Sequence, residues 1–229
     1  MQKFVILISC LALYNIAIGQ QPINALDAQT NLRDLNSGAI ARTYDNRYEG
    51  VKGFPTLFEN FLPGQVAING EWVQAKELNY DAVNDDVLVI RNKTMVVLRK
   101  TVVKNFRMIY GTDTLLFTNV KQDETEGYYQ ELVTAPVALY KRVVKTVLAP
   151  DYTGAFSAHR NYAEFIQAQS YFVRKGDQKI VEIKNKKDVN QLFPELADKL
   201  KVFYKENQFD AKREDHLVAL VVFINAALR

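Results

Sequence analysis

From Tyr44 to Ile183 the chain alternates short apolar runs with turn residues. Val66-Ala67-Ile68 meets Asn69-Gly70 and then Glu71-Trp72-Val73. Asn-Gly between two such runs predicts a tight hairpin, because both turn residues tolerate positive φ. Asn84-Asp85-Asp86 precedes the run Val87 to Ile90, and Asn92-Lys93 turns into Thr94 to Leu98. In TVVKNFRMIY, Val102, Lys104, Phe106, Met108 and Tyr110 share one face at period two, and Val103, Asn105, Arg107 and Ile109 the other. Gly111-Thr112-Asp113 turns into Leu115 to Phe117, and KQDETEG reads as a polar loop before YYQELV. VALYKRVVKTVL predicts a long strand, and SYFVRKGDQKIVEI a hairpin with Gly176-Asp177 at its tip. Roughly eight to ten strands joined by short turns, with no helix between them, predict antiparallel pairing rather than a parallel α/β sheet.

After Ile183 the period changes. Asn185 with Asp188 three residues on predicts a helix start, and Pro194 suits a restart at a first helical position. Leu196, Leu200, Phe203 and Tyr204 fall on one helical face. Asp210 is placed to cap a last helix, whose stripe is Leu217, Leu220, Val221, Ile224 and Leu228, thickened by Val218, Val222 and Phe223. A helix so apolar must be buried against the sheet or a partner. Its apolar run of about a dozen residues is too short to span a bilayer. The expected fold class is α+β, mainly antiparallel β: a twisted meander sheet or partly closed β-barrel, with two or three C-terminal helices packed on it.

The N-terminus changes the setting. A positive start at Lys3, an apolar stretch over residues 4–18 and the small residues Ala17 and Gly19 predict a signal peptide over residues 1–19, cut before Gln20. The apolar stretch continues past Ser9-Cys10, which argues against a lipoprotein cleavage there. Cys10 is the single cysteine of the chain, so cleavage leaves no thiol for catalysis, zinc or a disulfide. Residues 20–43 are polar and aperiodic and predict a flexible or loosely docked lead-in, and residues 44–229 one domain, helical from about residue 185. Loss of Lys3 lowers the formal charge from +3 to +2, and basic residues are scattered, so nucleic acid is not an expected partner. Lys184-Asn185-Lys186-Lys187 reads as a solvated connection.

The stretch RTYDNRYEGVKGFPTLFENFLPGQV is dense in both site-like and turn residues. Gly50 and Gly53 around Val51-Lys52 suit a kinked strand, and Pro55 and Pro63-Gly64 suit turn starts. Tyr44, Tyr48, Phe54, Phe58 and Phe61 suit a plug over one end of the sheet. Asp45, Asn46, Arg47 and Tyr48 form a polar mouth and are the candidate ligand-binding residues, for sugar hydroxyls or a peptide. Other chemistry is sparse. His159 and His216 are the only histidines and lack a metal-ligand spacing. Ser37, Ser157 and Ser170 lie in no Gly-x-Ser-x-Gly elbow, and no Gly-rich phosphate loop precedes a helix. The acidic clusters NDD and DETE sit at expected turns. No catalytic residue, metal or cofactor is assigned.

TYDNRYEGVKGFPTLFENFLPGQV, LNYDAVNDDVLVI, GYYQELV, ALYKR and IKNKKDVNQLF together resemble a family of exported Bacteroidota proteins of unknown function. One departure is ELVTAPVALYKR, with Ala135-Pro136 where the resemblance implies glycine. The resemblance implies a signal peptide and placement in the periplasm or at the surface of a diderm bacterium, and no activity. Three functions follow as expectations. The first is a non-enzymatic binding or structural module with an envelope protein or glycan as partner. The others are a carrier for a lipid or other apolar ligand, and a carboxylate-dependent hydrolase. A packed sheet interior favours the first, an apolar cavity the second, and two carboxylates facing across a cleft the third.

Overall fold

The computed structural model describes residues 37–122, 125–134, 136–151 and 160–229. The expected signal peptide with Cys10, most of the lead-in, Asp123-Glu124 of DETE, Ala135, Ser157 and His159 lie outside the described residues.

Among the described residues eleven strands form one antiparallel sheet: β1 (Ile40–Thr43), β2 (Leu62–Ile68), β3 (Glu71–Asp81), β4 (Asp86–Arg91), β5 (Thr94–Leu98), β6 (Val103–Tyr110), β7 (Asp113–Gln122), β8 (Thr125–Val133), β9 (Val137–Leu148), β10 (Glu164–Lys175) and β11 (Val181–Glu182). Their spatial order is β1-β5-β4-β3-β2-β6-β7-β8-β9-β10-β11. The chain therefore meanders from β2 to β5, returns to set β6 beside β2, and meanders outward again to β11. The last residues of the expected lead-in form β1, which pairs with β5.

Most of the predicted turns hold. Asn69 and Gly70, Asn92 and Lys93, and Gly111 and Gly176 all take positive φ. Three local expectations are corrected. Lys121, Gln122, Glu126 and Gly127 of KQDETEG are strand residues, because β7 and β8 pair out to Gln122 and Thr125. Pro63-Gly64 is not a turn but part of β2, where the pairing with β3 shifts between Leu62 and Gly64. Such a bulge accommodates a proline that has no N–H to give a ladder. Val103 is fully buried although strict two-residue alternation puts it on the opposite face from Phe106. The β2–β6 register skips one residue between Ala67 and Ile68, so Val103 rejoins the inner face and Lys104 is left outside.

Core packing shows how the sheet curls. Phe106 and Phe117 stack at 4.6 Å, and Tyr80 on β3 meets Tyr128 on β8 edge-on at 6.1 Å. Strands β3 and β8 are separated in the sheet by β2, β6 and β7, so these rings can touch only if the sheet rolls around them. The Lys145 N–H of β9 reaches the Ala82 carbonyl, just past β3, at 2.9 Å. Yet among the described residues β1 and β11 remain edges, and the sheet is not closed into a barrel.

Three helices follow: α1 (Lys186–Leu192), α2 (Ala197–Glu206) and α3 (Glu214–Ala227). Asn185 and Asp188 form the expected capping box on α1, and Pro194 opens a 3-10 turn ahead of α2. The N-cap of α3 is Arg213 rather than Asp210, whose carboxylate accepts from the Lys212 N–H in the preceding turn. Leu217, Leu220, Val221 and Ile224 are buried in a second core with Val137, Leu139, Tyr171 and Val173. Asn225 ties α3 to β9 by bonds to both the N–H and the carbonyl of Val137. Among the described residues no helix is long and apolar enough to cross a membrane, which says nothing of strands.

Candidate functional site

Residues 44–61 lie along a seam of the curled sheet, bridging the end of β3 to β9 and β10. Glycine is needed at Gly53, with φ +88° against the Phe165 ring, and its turn brings Lys52 beside β10. The Lys52 N–H donates to the Ala163 carbonyl at 2.9 Å. A few residues on, Thr56 pairs with Asp81 at the end of β3, and the Leu57 N–H donates to the Tyr80 carbonyl at 2.7 Å. Lys145 of β9 completes the clamp. Its ammonium donates to the carbonyls of Phe54 at 3.1 Å and Thr56 at 2.6 Å, and lies 4.2 Å from the Phe54 ring centroid. The segment is thus a wedge fixed to three strands. Burial holds the Lys145 amine below its ordinary pKa of 10.5, with Asp81 acting in the opposite direction.

Next to the wedge is a network of carboxylates. Asp81 is fully buried, and its Oδ1 accepts from the backbone N–H groups of Val83 at 2.9 Å and Asn84 at 3.0 Å. Its Oδ2 accepts from Asn84 Nδ2 at 2.8 Å and the Tyr44 hydroxyl at 3.1 Å. Asp85, at φ +58°, accepts from the Tyr80 hydroxyl at 2.7 Å, the Tyr128 N–H at 3.0 Å and Lys100 Nζ at 2.6 Å. Asp86 pairs with Arg42 at 2.5 Å, and burial raises its pKa against the pull of Arg42 and Lys100. Burial and then Asp85 push the hydroxyls of Tyr80 and Tyr128 well above the ordinary tyrosine range, and burial and Asp81 do the same to Tyr44. These hydroxyls stay protonated and serve as donors.

Of the four sequence-assigned residues, only Tyr48 joins this network. It is half-buried, edge-on to Phe165 at 5.3 Å, and accepts from Asn84 Nδ2 at 3.3 Å. Asp45, Asn46 and Arg47 are exposed, with Arg47 Nη2 3.6 Å from Asp45 Oδ2. The structure therefore gives a polar surface loop hung on one anchoring tyrosine. Asp81 and Lys145, the buried hubs of the region, escaped sequence reasoning. Each lies at a strand end or mid-strand, where a lone charge reads as an outward residue. The NDD cluster does sit at a turn, as expected, but its acids point into a hydrogen-bonded interior. His216 Nδ1 accepts from the Asp210 N–H at 3.0 Å and so organises the α3 turn. Among the described residues no group of three or more His, Cys, Asp or Glu side chains is placed to hold a metal ion.

A shallow groove of about 700 Å³ runs between α2 and α3, lined by Val202, Phe203, Phe223 and Ala227. No family model matches the chain, and neither a curated protein nor a solved structure matches it.

Proposed function

We propose that the chain is an exported, non-enzymatic binding module of the cell envelope, with an envelope protein or glycan as its partner. The observation that carries this reading is how the acids of the seam are used. Asp81 and Asp85 are filled by donors of the fold itself, and Asp86 is paired with Arg42. A hydrolytic pair needs carboxylates free to meet substrate and water across a cleft. The carrier reading finds no support in the aromatic rings that pack against one another inside the curl. Recognition is left to the outer surface, where Asp45, Asn46 and Arg47 present exposed polar groups. Export rests on the N-terminal residues and on the resemblance to exported Bacteroidota proteins.

Crosslinking in the native envelope, followed by identification of the captured molecule, tests the reading. A specific partner whose capture falls when Asp45, Asn46 and Arg47 are together replaced by Ala is the expected result. Turnover of a glycan or peptide by the purified chain would overturn it. N-terminal sequencing of the native protein should begin at Gln20; Met1, or a lipid on Cys10, would remove the case for a cleaved signal.

A further inference from the structure

Strand β10 has two neighbours on the side away from β9, and they leave a gap between them. At one end, the Lys52 N–H donates to the Ala163 carbonyl at 2.9 Å and the Phe165 N–H to the Lys52 carbonyl at 3.1 Å. At the other, β11 pairs with Phe172 and Val173, and the Ile183 N–H donates to the Tyr171 carbonyl at 2.8 Å. These bonds show that the backbone groups of odd-numbered β10 residues face away from β9. The two-residue period then turns the N–H and carbonyl groups of Gln167 and Gln169 the same way. Among the described residues no strand pairs with them on that side. Ile166, Gln167, Ala168 and Gln169 are all exposed. From Phe165 to Tyr171 the gap spans about 20 Å, at roughly 3.3 Å per residue.

Proteins ordinarily blunt such an edge with a charge, a proline or a bulge. The run Ile166 to Ser170 has no charge and no proline, and its register with β9 is unbroken from Glu164 to Lys175. At the β11 end of the gap, a depression of about 360 Å³ is lined by Gln169, Ser170, Tyr171, Ile183, Lys184 and Lys212. An edge whose backbone groups are taken by no described strand, with a pocket beside it, has the two parts that strand addition uses: main-chain bonds for affinity and a side-chain pocket for choice.

We infer that this gap receives an extended segment of a partner protein as an added strand, one of whose side chains enters the depression. The inference rests on the reading of the chain as a binding module and adds a backbone contact to the polar loop at Asp45, Asn46 and Arg47. The gap's two closed ends select the occupant. A second copy offering its own twelve-residue β10 would run into Lys52 at one end and β11 at the other. A segment of about four to six residues that leaves the lane at each end fits the same space.

The test uses short random peptides displayed on phage and selected against the full exported chain. Gln167→Pro and Gln169→Pro each delete one outward N–H while leaving the β9–β10 ladder intact, as proline on an edge allows. Selected peptides should bind each proline variant about tenfold more weakly than wild type. Melting should be unchanged, and amide exchange at Gln167 and Gln169 should slow when peptide binds. If a proline variant fails to fold, Ala168→Arg, which charges the edge without touching its backbone, should weaken binding in its place. Equal binding to all variants, or protection at residues 45–48 or in the α2–α3 groove instead, would overturn the edge while leaving the binding reading standing. Failure to select any peptide would overturn it too, and envelope crosslinking then decides the broader reading separately. A concentration-dependent dimer that Gln169→Pro abolishes would assign the edge to a second copy and overturn the partner segment.

Discussion

Two buried charges, Asp81 and Lys145, do most to hold the seam, by different means. Asp81 collects four donors, so Asp81→Ala strands two backbone N–H groups and the Tyr44 hydroxyl without their acceptor. Chemical denaturation should show a loss of about 3 kcal/mol or more, and Asp81→Asn, which keeps an acceptor oxygen, a smaller one. Lys145, only 7 % exposed, gives its protons to two carbonyls of the wedge. Lys145→Met should cost about 1–3 kcal/mol near neutral pH by leaving those carbonyls unpaired. The pH profile separates its charge from its contacts. The amine's pKa is lowered on folding, so between its folded value and 10.5 the unfolded chain binds more protons and stability rises with pH. Tyr80 and Tyr128, with raised pKa values, act oppositely above their ordinary value of 10.0, where the folded chain keeps protons that the unfolded chain releases. The readout is therefore the wild-type minus variant difference, which should grow as pH rises toward 10.5 and level off above it. A flat difference would show that burial does not disfavour the ammonium.

At the scale of elements, α3 and β2 are the most exacting. The inner stripe of α3 meets β8 and β9, whereas Val222 on its far side is 54 % exposed. Leu220→Ala or Ile224→Ala should cost about 2–5 kcal/mol by opening a cavity, and Val222→Ala should stay within about 0.5 kcal/mol. Equal denaturation midpoints for the three would show that α3 is not core. In β2, a Cβ on Gly64 would overlap the Arg107 carbonyl of β6 and lie 2.8 Å from Leu78 Cδ2. Gly64→Ala should therefore force β2 and β6 apart, costing about 1–3 kcal/mol in a thermal or chemical melt. Turns, by contrast, tolerate change at the tip: a Cβ on Gly70 or Gly111 meets nothing within 4 Å, and only their positive φ resists it.

For the whole molecule, stability has to come from packing. Two inner-face cores, one between the curled strands and one beneath the helices, are bridged by β8 and β9, which contribute to both. Cys10 is the single cysteine, so no intramolecular disulfide can form. The melting temperature should be the same with and without dithiothreitol; a loss of stability in reductant would reveal a bridge between chains.

Local chemistry was enough to read most turns and the helices. Asn69-Gly70, Asn92-Lys93 and Gly176 mark their own turns because positive φ is a property of one or two residues. Asn185 with Asp188 and the α3 stripe from Leu217 to Ile224 were legible for the same reason, since caps and helical faces are set within a few residues, whereas Leu228 lies past the helix end and is exposed. Of the candidate site, the polar character of Asp45, Asn46 and Arg47 was legible, and Tyr48 was legible as one of the aromatics expected to pack. What the sequence could not supply depends on partners far along the chain. The bulges that put Pro63-Gly64 inside β2 and turn Val103 inward exist only because particular neighbouring strands impose a register. The return of β6 to β2, the roll that joins Tyr80 to Tyr128, and the burial of Asp81 and Lys145 are likewise decided by contacts dozens of residues apart. Periodicity says which residues share a face; only the closed path of the chain in space says what that face meets.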